Sequence, residues 1–389
     1  MSAVSARPAL MLAYFTYFGV LGVFVPYFGL FLDGRGLDSA EIGLLLAIVT
    51  ASRIIGPNIW AALAERSGKP LLIMRTGAFL AILGWCSSFA NIGFWPLLIG
   101  FTLFSFFWTA ILPQLEVSAF HFLNDDTQAY SRVRSFGSVG YIVLVLFGGW
   151  LFELFGSEFL PVSALMFLML LLASLFLLPA VSLNLHTKVV SERFIDVLKN
   201  KLLLRFMCAT LLIQMSFAPF YGFFTLYSRD LGYSGTETGL FIGVAVAAEI
   251  IAFYFAGKIM RNRSYKLLLS ICYSLTVLRW TLVATVADNA WLLAFSMMLH
   301  AGSFAIAHAC AMQFIQQFFP KRLRSRGQAF YAGVIYGGGG AIGAYISGLL
   351  WQDGAGASNT FLAAAALAFF ATLIAISLPK VIPSATTTS

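Results

Sequence analysis

Long apolar runs, broken by short polar stretches, make up almost the whole of this chain. A helix needs about 20 mostly apolar residues to cross the roughly 30 Å of hydrocarbon in a bilayer. Cutting the sequence at clusters of charge, Pro, Gly, Asn and Asp gives twelve expected spans: 8–32, 39–63, 70–89, 95–120, 132–153, 160–179, 203–228, 235–258, 265–286, 290–318, 326–351 and 358–379. The breaks hold turn-forming polar residues, such as Asp33-Gly34-Arg35-Gly36 and Arg261-Asn262-Arg263-Ser264. Strands of a membrane barrel would alternate over about ten residues. These runs are apolar on every side and about twice that length, which predicts an all-α membrane protein. The first run follows a single basic residue, Arg7, and is too long for the core of a cleaved leader, so it is expected to remain as span 1.

Composition narrows the class. Of 389 residues, 60% are apolar and 10% charged, against about a quarter charged in soluble domains. A soluble enzyme, a disordered chain and a nucleic-acid-binding domain are excluded. The net charge of +8 does not restore the last of these, because the basic residues are sorted by loop. Twenty of the 24 Lys and Arg fall on one side, including Arg66, Lys69, Arg75, Arg132, Arg134, Lys258, Arg261, Lys321 and Lys380. Only Arg35 and Arg229 fall on the other, with Arg53 and Arg279 inside spans. By the positive-inside rule both termini are expected in the cytoplasm, of a bacterial inner membrane. Cys86, Cys208, Cys272 and Cys310 stand singly in apolar runs, without metal-ligand spacing, and read as small helix residues.

The chain also repeats itself. A polar connection over 181–202 separates an N-terminal six-span bundle, 1–180, from a C-terminal one, 203–389. Gly36-Leu37-Asp38-Ser39-Ala40-Glu41-Ile42-Gly43 aligns with Gly232-Tyr233-Ser234-Gly235-Thr236-Glu237-Thr238-Gly239 at a shift of 196, and at that shift Arg53 meets Glu249. Two parallel six-helix repeats with a site between them near the midplane form a transporter architecture.

The break after span 2 reads Ala61-Ala62-Leu63-Ala64-Glu65-Arg66-Ser67-Gly68-Lys69-Pro70. It resembles the Gly-x-Leu-x-Asp-Arg-x-Gly-Arg motif of the major facilitator superfamily, with Ala61, Glu65 and Lys69 in place of Gly, Asp and Arg. Three further segments carry a likeness to phenylpropionate-type permeases and, more distantly, to the lactose permease (oligosaccharide:proton symporter) group: Tyr14-Phe15-Thr16-Tyr17-Phe18, Val133-Arg134-x-Phe136-Gly137-Ser138 and Leu299-His300-x-Gly302-x-Phe304. The resemblance implies the major facilitator fold over the whole chain. It implies that Glu116 and Arg134, 18 positions apart, hold substrate. It also makes Glu249, Arg279 and His300 the counterparts of that group's helix 8 carboxylate, helix 9 arginine and helix 10 histidine. The chain departs from the lactose permease pattern at Ser303, where that group keeps a glutamate, and at Ala218-Pro219-Phe220-Tyr221, where its helix 7 aspartates have no counterpart.

Charge at bilayer depth points to some of the same residues. A charged side chain there costs about 3 kcal/mol on insertion scales and persists where it lines a cavity or finds a partner. Glu249 lies deep in span 8, Arg279 mid-span in span 9 and His300 ten residues into span 10. A buried carboxyl whose arginine neighbour moves changes its proton affinity, so this trio is the expected proton-coupling site. The alternative is a permanent pair that only locks helices together. Arg53 either clamps an anion or snorkels. Glu116 and Arg134 lie near span ends and also fit a surface pair. Tyr14, Tyr17 and Tyr221, with Tyr27 and Trp108, are candidate stacking partners for an aromatic substrate. His308, eight residues past His300, should point elsewhere on an α-helix. Glu65, Arg66 and Lys69 read as a conformational latch. The Gly337–Gly340 run allows close helix approach or a bend.

No Gly-x-x-x-x-Gly-Lys-Ser/Thr loop occurs, so energy is expected from a gradient, with protons as the coupling ion and neither cofactor nor metal. The expected protein is a monomeric secondary transporter taking up a small organic solute such as an aromatic carboxylate. An exporter of amphipathic compounds and a sugar or nucleoside symporter are the alternatives. A membrane-embedded enzyme or a nontransporting sensor is the reading from another class.

Overall fold

The computed structural model describes residues 3–91, 93–124, 126–179 and 194–380, which are helical with no strand among them. Among the described residues, twelve helices are long and apolar enough to cross a membrane: span 1 (Ala6–Gly34), span 2 (Ser39–Ser67), span 3 (Pro70–Phe89), span 4 (Phe94–Phe122), span 5 (Thr127–Phe155), span 6 (Ser157–Leu177), span 7 (Lys201–Asp230), span 8 (Gly235–Met260), span 9 (Tyr265–Val286), span 10 (Ala290–Phe318), span 11 (Lys321–Gly354) and span 12 (Ala357–Ile376). Two begin five residues earlier than hydropathy predicts. Span 5 starts at Thr127 because the Asp126 carboxylate accepts from Gln128 N and Ala129 N, satisfying two of the first-turn donors. The Asp126 carboxyl is held below the usual range, chiefly by the Ala129 N–H. Span 11 is preceded by a basic 3₁₀ turn, Lys321–Leu323. Of the expected connection over 181–202, residues 181–193 lie outside the described residues. Asn200 then caps span 7 through Leu202 N at 2.9 Å.

The spans form two compact units. Unit 1 is Met1–Thr187 with Gly232–Leu240, and unit 2 is Lys188–Leu231 with Phe241–Ser389. In lipid, helix association depends on close packing of small residues rather than on expulsion of water, and both units show it. In unit 1, span 5 crosses span 1 at glycines. A Cβ on Gly22 would stand 2.6 Å from the Tyr141 carbonyl oxygen, and one on Gly140 would collide with that of Phe15. In unit 2, a Cβ on Gly343 of span 11 would stand 2.7 Å from the Met215 carbonyl of span 7. Pro219, four residues on, has no N–H to give that carbonyl; span 7 breaks there, between Ser216 and Ala218. Pro113 breaks span 4 in the same way, after Thr109.

The repeat seen in the sequence reappears in the backbone. Gly36 and Gly232 both take left-handed conformations, with φ of 78° and 87°. Two residues later each helix opens with a capping box. Asp38 Oδ1 accepts from Glu41 N while Asp38 N donates to Glu41 Oε2. Ser234 Oγ accepts from Glu237 N while Ser234 N donates to Glu237 Oε2. Each box satisfies two otherwise orphaned donors.

Two segments are π-helical among the described residues. Span 10 is π-helical over Ala301–Ile306 and span 11 over Ala332–Gly339. The second takes in most of the glycine run, where missing side chains lower helix propensity.

Candidate functional site

Unit 1 places the segments of spans 1 and 5 that carry the permease likeness against each other. The Arg134 guanidinium lies over the Phe18 ring at 4.0 Å and over Tyr14 at 5.5 Å. Its Nε stands 3.8 Å from Glu116 Oε1, a loose pair with both side chains partly exposed. Gly137 makes room for this arrangement, since a Cβ there would stand 2.6 Å from Phe18 and 2.9 Å from Arg134 Nη1. Beside it the Tyr17 ring stacks on Trp108 at 4.3 Å, nearly parallel. Arg53, exposed on span 2, acts electrostatically on Tyr17. Tyr14, Tyr17, Arg53, Glu116 and Arg134 thus share one neighbourhood, in which a cation is framed by aromatic faces. Tyr27 stands apart from it, donating to the Val145 carbonyl at 2.7 Å.

Unit 2 joins Glu249, His300 and Arg279 in one hydrogen-bonded chain. Arg279 Nη1 lies 2.7 Å from His300 Nδ1, and His300 Nε2 lies 3.1 Å from Glu249 Oε2. Arginine can only donate. His300 Nδ1 is therefore the acceptor, the ring is neutral, and its one proton sits on Nε2, donated to the carboxylate. Protonating Nδ1 would break the bond to Arg279. Glu249 ends the chain as its acceptor, with a side chain 23% exposed. Arg279 has no exposed surface. Its guanidinium lies over Trp280 at 4.4 Å and Phe220 at 4.5 Å, faces that hold a cation in a dry site. Tyr221 stands here too, its ring 5.6 Å from that of Phe220, rather than with the other candidate tyrosines.

His308 does not point elsewhere. The rings of His300, Phe304 and His308 stack in parallel, at 5.1 Å and 5.9 Å between centroids. An α-helix would carry residue 308 about 80° past residue 300. The π-helical turn uses more residues per revolution and brings it back to the same face. His308 Nδ1 meets Tyr336 Oη at 2.5 Å. Tyr336 does not stand out in the sequence as a site residue. The one signal near Tyr336 is the glycine run that follows it.

Glu65, Arg66 and Lys69 lie at the turn from span 2 to span 3. Gly68 makes it possible, with a left-handed φ of 62° and its N–H on the Ala64 carbonyl, and Pro70 opens the next helix. Arg66 and Lys69 are exposed and Glu65 half-buried.

With this geometry in hand, three comparisons bear on identity. The profile of the MFS_1 like family matches residues 9–363. The chain is 28% identical over 348 residues to a probable 3-phenylpropionic acid transporter of Escherichia coli (strain K12), covering 88% of this chain and 90% of the other. It is 23% identical over 359 residues to the maltose permease of Geobacillus stearothermophilus, covering 91% and 90%. In fold it is similar to the nucleoside transporter NupG, with a TM-score of 0.82 at 15% identity over 96% of this chain and 98% of that one. The chain belongs to the MFS_1 like family: it is a multi-pass membrane transporter of the major facilitator superfamily.

Proposed function

We propose that the chain is a proton-coupled symporter that takes up a small organic acid, with an aromatic carboxylate as the substrate class, by alternating access. In this reading it lies in a bacterial inner membrane as a monomer, with both termini in the cytoplasm and a six-span bundle in each half. The observation that carries it is the Arg279–His300–Glu249 chain. While Glu249 is ionised, it balances the buried guanidinium. When Glu249 takes a proton, Arg279 is left without its counter-charge, and an incoming carboxylate restores the balance. Proton and anion then favour each other's binding, which is the coupling free energy a symporter needs.

The substrate class is supported by unit 1. Arg134 offers a fork that matches a carboxylate, with Phe18 and Tyr14 beside it for an aryl group. The name of the E. coli relative agrees with that chemistry. The turn at Glu65, Arg66 and Lys69 serves as a latch on the conformational cycle.

The test is Glu249→Gln, which imitates the protonated state. Substrate exchange across the membrane should persist, because it needs no net proton release, while accumulation driven by a pH gradient is lost. Accumulation that survives the substitution would sink the assignment of Glu249. A second reading, a neutral polyhydroxylated solute, is favoured by Glu116, whose carboxylate accepts from hydroxyls but repels an anion. A thermal-shift panel of aromatic acids, sugars and nucleosides separates the two, because a ligand that binds the folded state raises its midpoint.

A further inference from the structure

Span 9 carries a stripe graded in polarity. Lys266, Ser270, Ser274 and Leu278 follow one another at intervals of four within the α-helix Tyr265–Val286. Residues four apart share a face, with about 6 Å between their Cβ atoms. Leu267, Ile271 and Leu275 form a parallel row beside them. From the end of the span inward, the stripe runs from a cation through two hydroxyls to aliphatic carbon.

An open groove of about 370 Å³ lies along this face, lined by Ser270, Ile271, Ser274, Leu275 and Leu278. Sites for small molecules begin at about 300 Å³. The groove runs about 12 Å along the helix and starts one turn inward of Lys266. Its apolar walls face outward, with Ile271 46% and Leu278 44% exposed. Leu275 also meets span 10, where a Cβ on Gly302 would stand 2.6 Å from Leu275 Cδ1. The Ser270 hydroxyl has no hydrogen-bond partner among the described residues. A hydroxyl is costly to leave unpaired in hydrocarbon, and rotation about one bond turns this one toward the groove it lines.

Charge at the mouth is of one sign. Lys258, Arg261, Arg263 and Lys266 stand between positions 258 and 266, and no acidic residue occurs from 250 to 287. Basic clusters beside membrane spans attract anionic lipid headgroups. A phospholipid presents its groups in the same order as the stripe: phosphate outermost, ester carbonyls below it, acyl chain below those. The phosphate pairs with an ammonium and the carbonyls accept from hydroxyls. A small soluble anion would use only the outermost of these contacts, and a zwitterionic lipid would bring its own cation to a basic mouth.

We propose that this groove binds an anionic phospholipid, with a phosphatidylglycerol-type headgroup on Lys266, ester carbonyls at Ser270 and Ser274, and one acyl chain along Ile271, Leu275 and Leu278. The site goes beyond the transport reading and stands whether or not transport is coupled to protons.

The test is native mass spectrometry of the full chain in detergent, titrated with three probes: dioleoyl phosphatidylglycerol, dioleoyl phosphatidylcholine, and glycerophosphoglycerol, which is the first headgroup without its acyl chains. The wild type should bind phosphatidylglycerol about fivefold more tightly than phosphatidylcholine, the factor that one cation near the membrane surface supplies. Lys266→Gln should abolish this preference while keeping phosphatidylcholine binding, which also shows that the variant is folded. Ser274→Phe, at an exposed position, fills the groove and should weaken both lipids by about fivefold or more. Arg261→Gln removes a cation from the turn before the stripe and should keep the preference to within about twofold. Equal affinity for the two lipids in the wild type, or a preference that survives Lys266→Gln, overturns the site. Equal losses in Lys266→Gln and Arg261→Gln overturn it in favour of a diffuse basic surface. Undiminished lipid binding in Ser274→Phe, or glycerophosphoglycerol binding as tightly as the intact lipid, overturns it as well.

Discussion

The charge balance between Glu249 and Arg279 can be measured without knowing the substrate. Two hydrogen bonds, of 2.7 Å and 3.1 Å, and the width of one imidazole separate the charges. At roughly 8 Å and an effective dielectric of about 20, their attraction is about 2 kcal/mol. Glu249→Gln preserves the shape and leaves the guanidinium buried without a counter-charge. Arg279→Met preserves much of the volume and leaves the carboxylate without its cation. Each single change should destabilise the protein, because removing one partner of a buried pair leaves the other uncompensated. The double variant should cost less than the two together by about 2 kcal/mol. The assay is equilibrium unfolding of the four proteins in the same detergent at neutral pH. Costs that add to within about 0.5 kcal/mol would show that the two charges do not act on each other through His300, and the coupling argument would fail with them.

Two glycines of span 5 should behave differently although they are one turn apart. Gly140→Ala drives a Cβ into the Phe15 carbonyl and should destabilise unit 1 by about 1–3 kcal/mol, read as a lower unfolding midpoint. Gly137→Ala meets only side-chain atoms of Phe18 and Arg134; it should leave stability nearly unchanged while weakening, by about tenfold or 1.4 kcal/mol, the solute found by thermal shift. At the latch, Gly68→Ala forces a side chain into a left-handed turn, at about 1–2 kcal/mol. Arg66→Ala should change transport rate far more than ligand affinity in detergent; equal losses of both would argue against a latch.

The span limits were legible because bilayer thickness fixes helix length and each polar break announces itself. The repeat of 36–43 at 232–239 was legible as well; the capping boxes it carries, Asp38 with Glu41 and Ser234 with Glu237, rest on purely local bonds. Bringing Glu249, Arg279 and His300 together followed from the cost of leaving charge in hydrocarbon. The π-helical turns were not legible. Their extra residue per turn is set by packing between neighbouring helices, and no local pattern in Ala301–Ile306 announces it. That hid the return of His308 to the face of His300 and its meeting with Tyr336. The early start of span 5 was missed for a different reason: Thr127, Gln128 and Arg132 are polar enough to end an apolar run, yet Asp126 caps them into the helix.

Unit 1 also has a consequence for biosynthesis. Arg35, just after span 1, is fastened by Glu158 at the start of span 6 and by the Ser88 and Ala90 carbonyls. The same unit takes in Gly232–Leu240, where Thr236 N donates to Glu153 at 2.9 Å and Gly235 packs on the Gly149 backbone. A ribosome that has delivered the first six spans has therefore not yet supplied every piece of the first unit. The nascent chain must continue through span 7 before the opening turn of span 8 can settle against span 5. A gene split within the connection after span 6 would thus yield a first fragment lacking part of its own unit, and its maturation would wait on the second fragment.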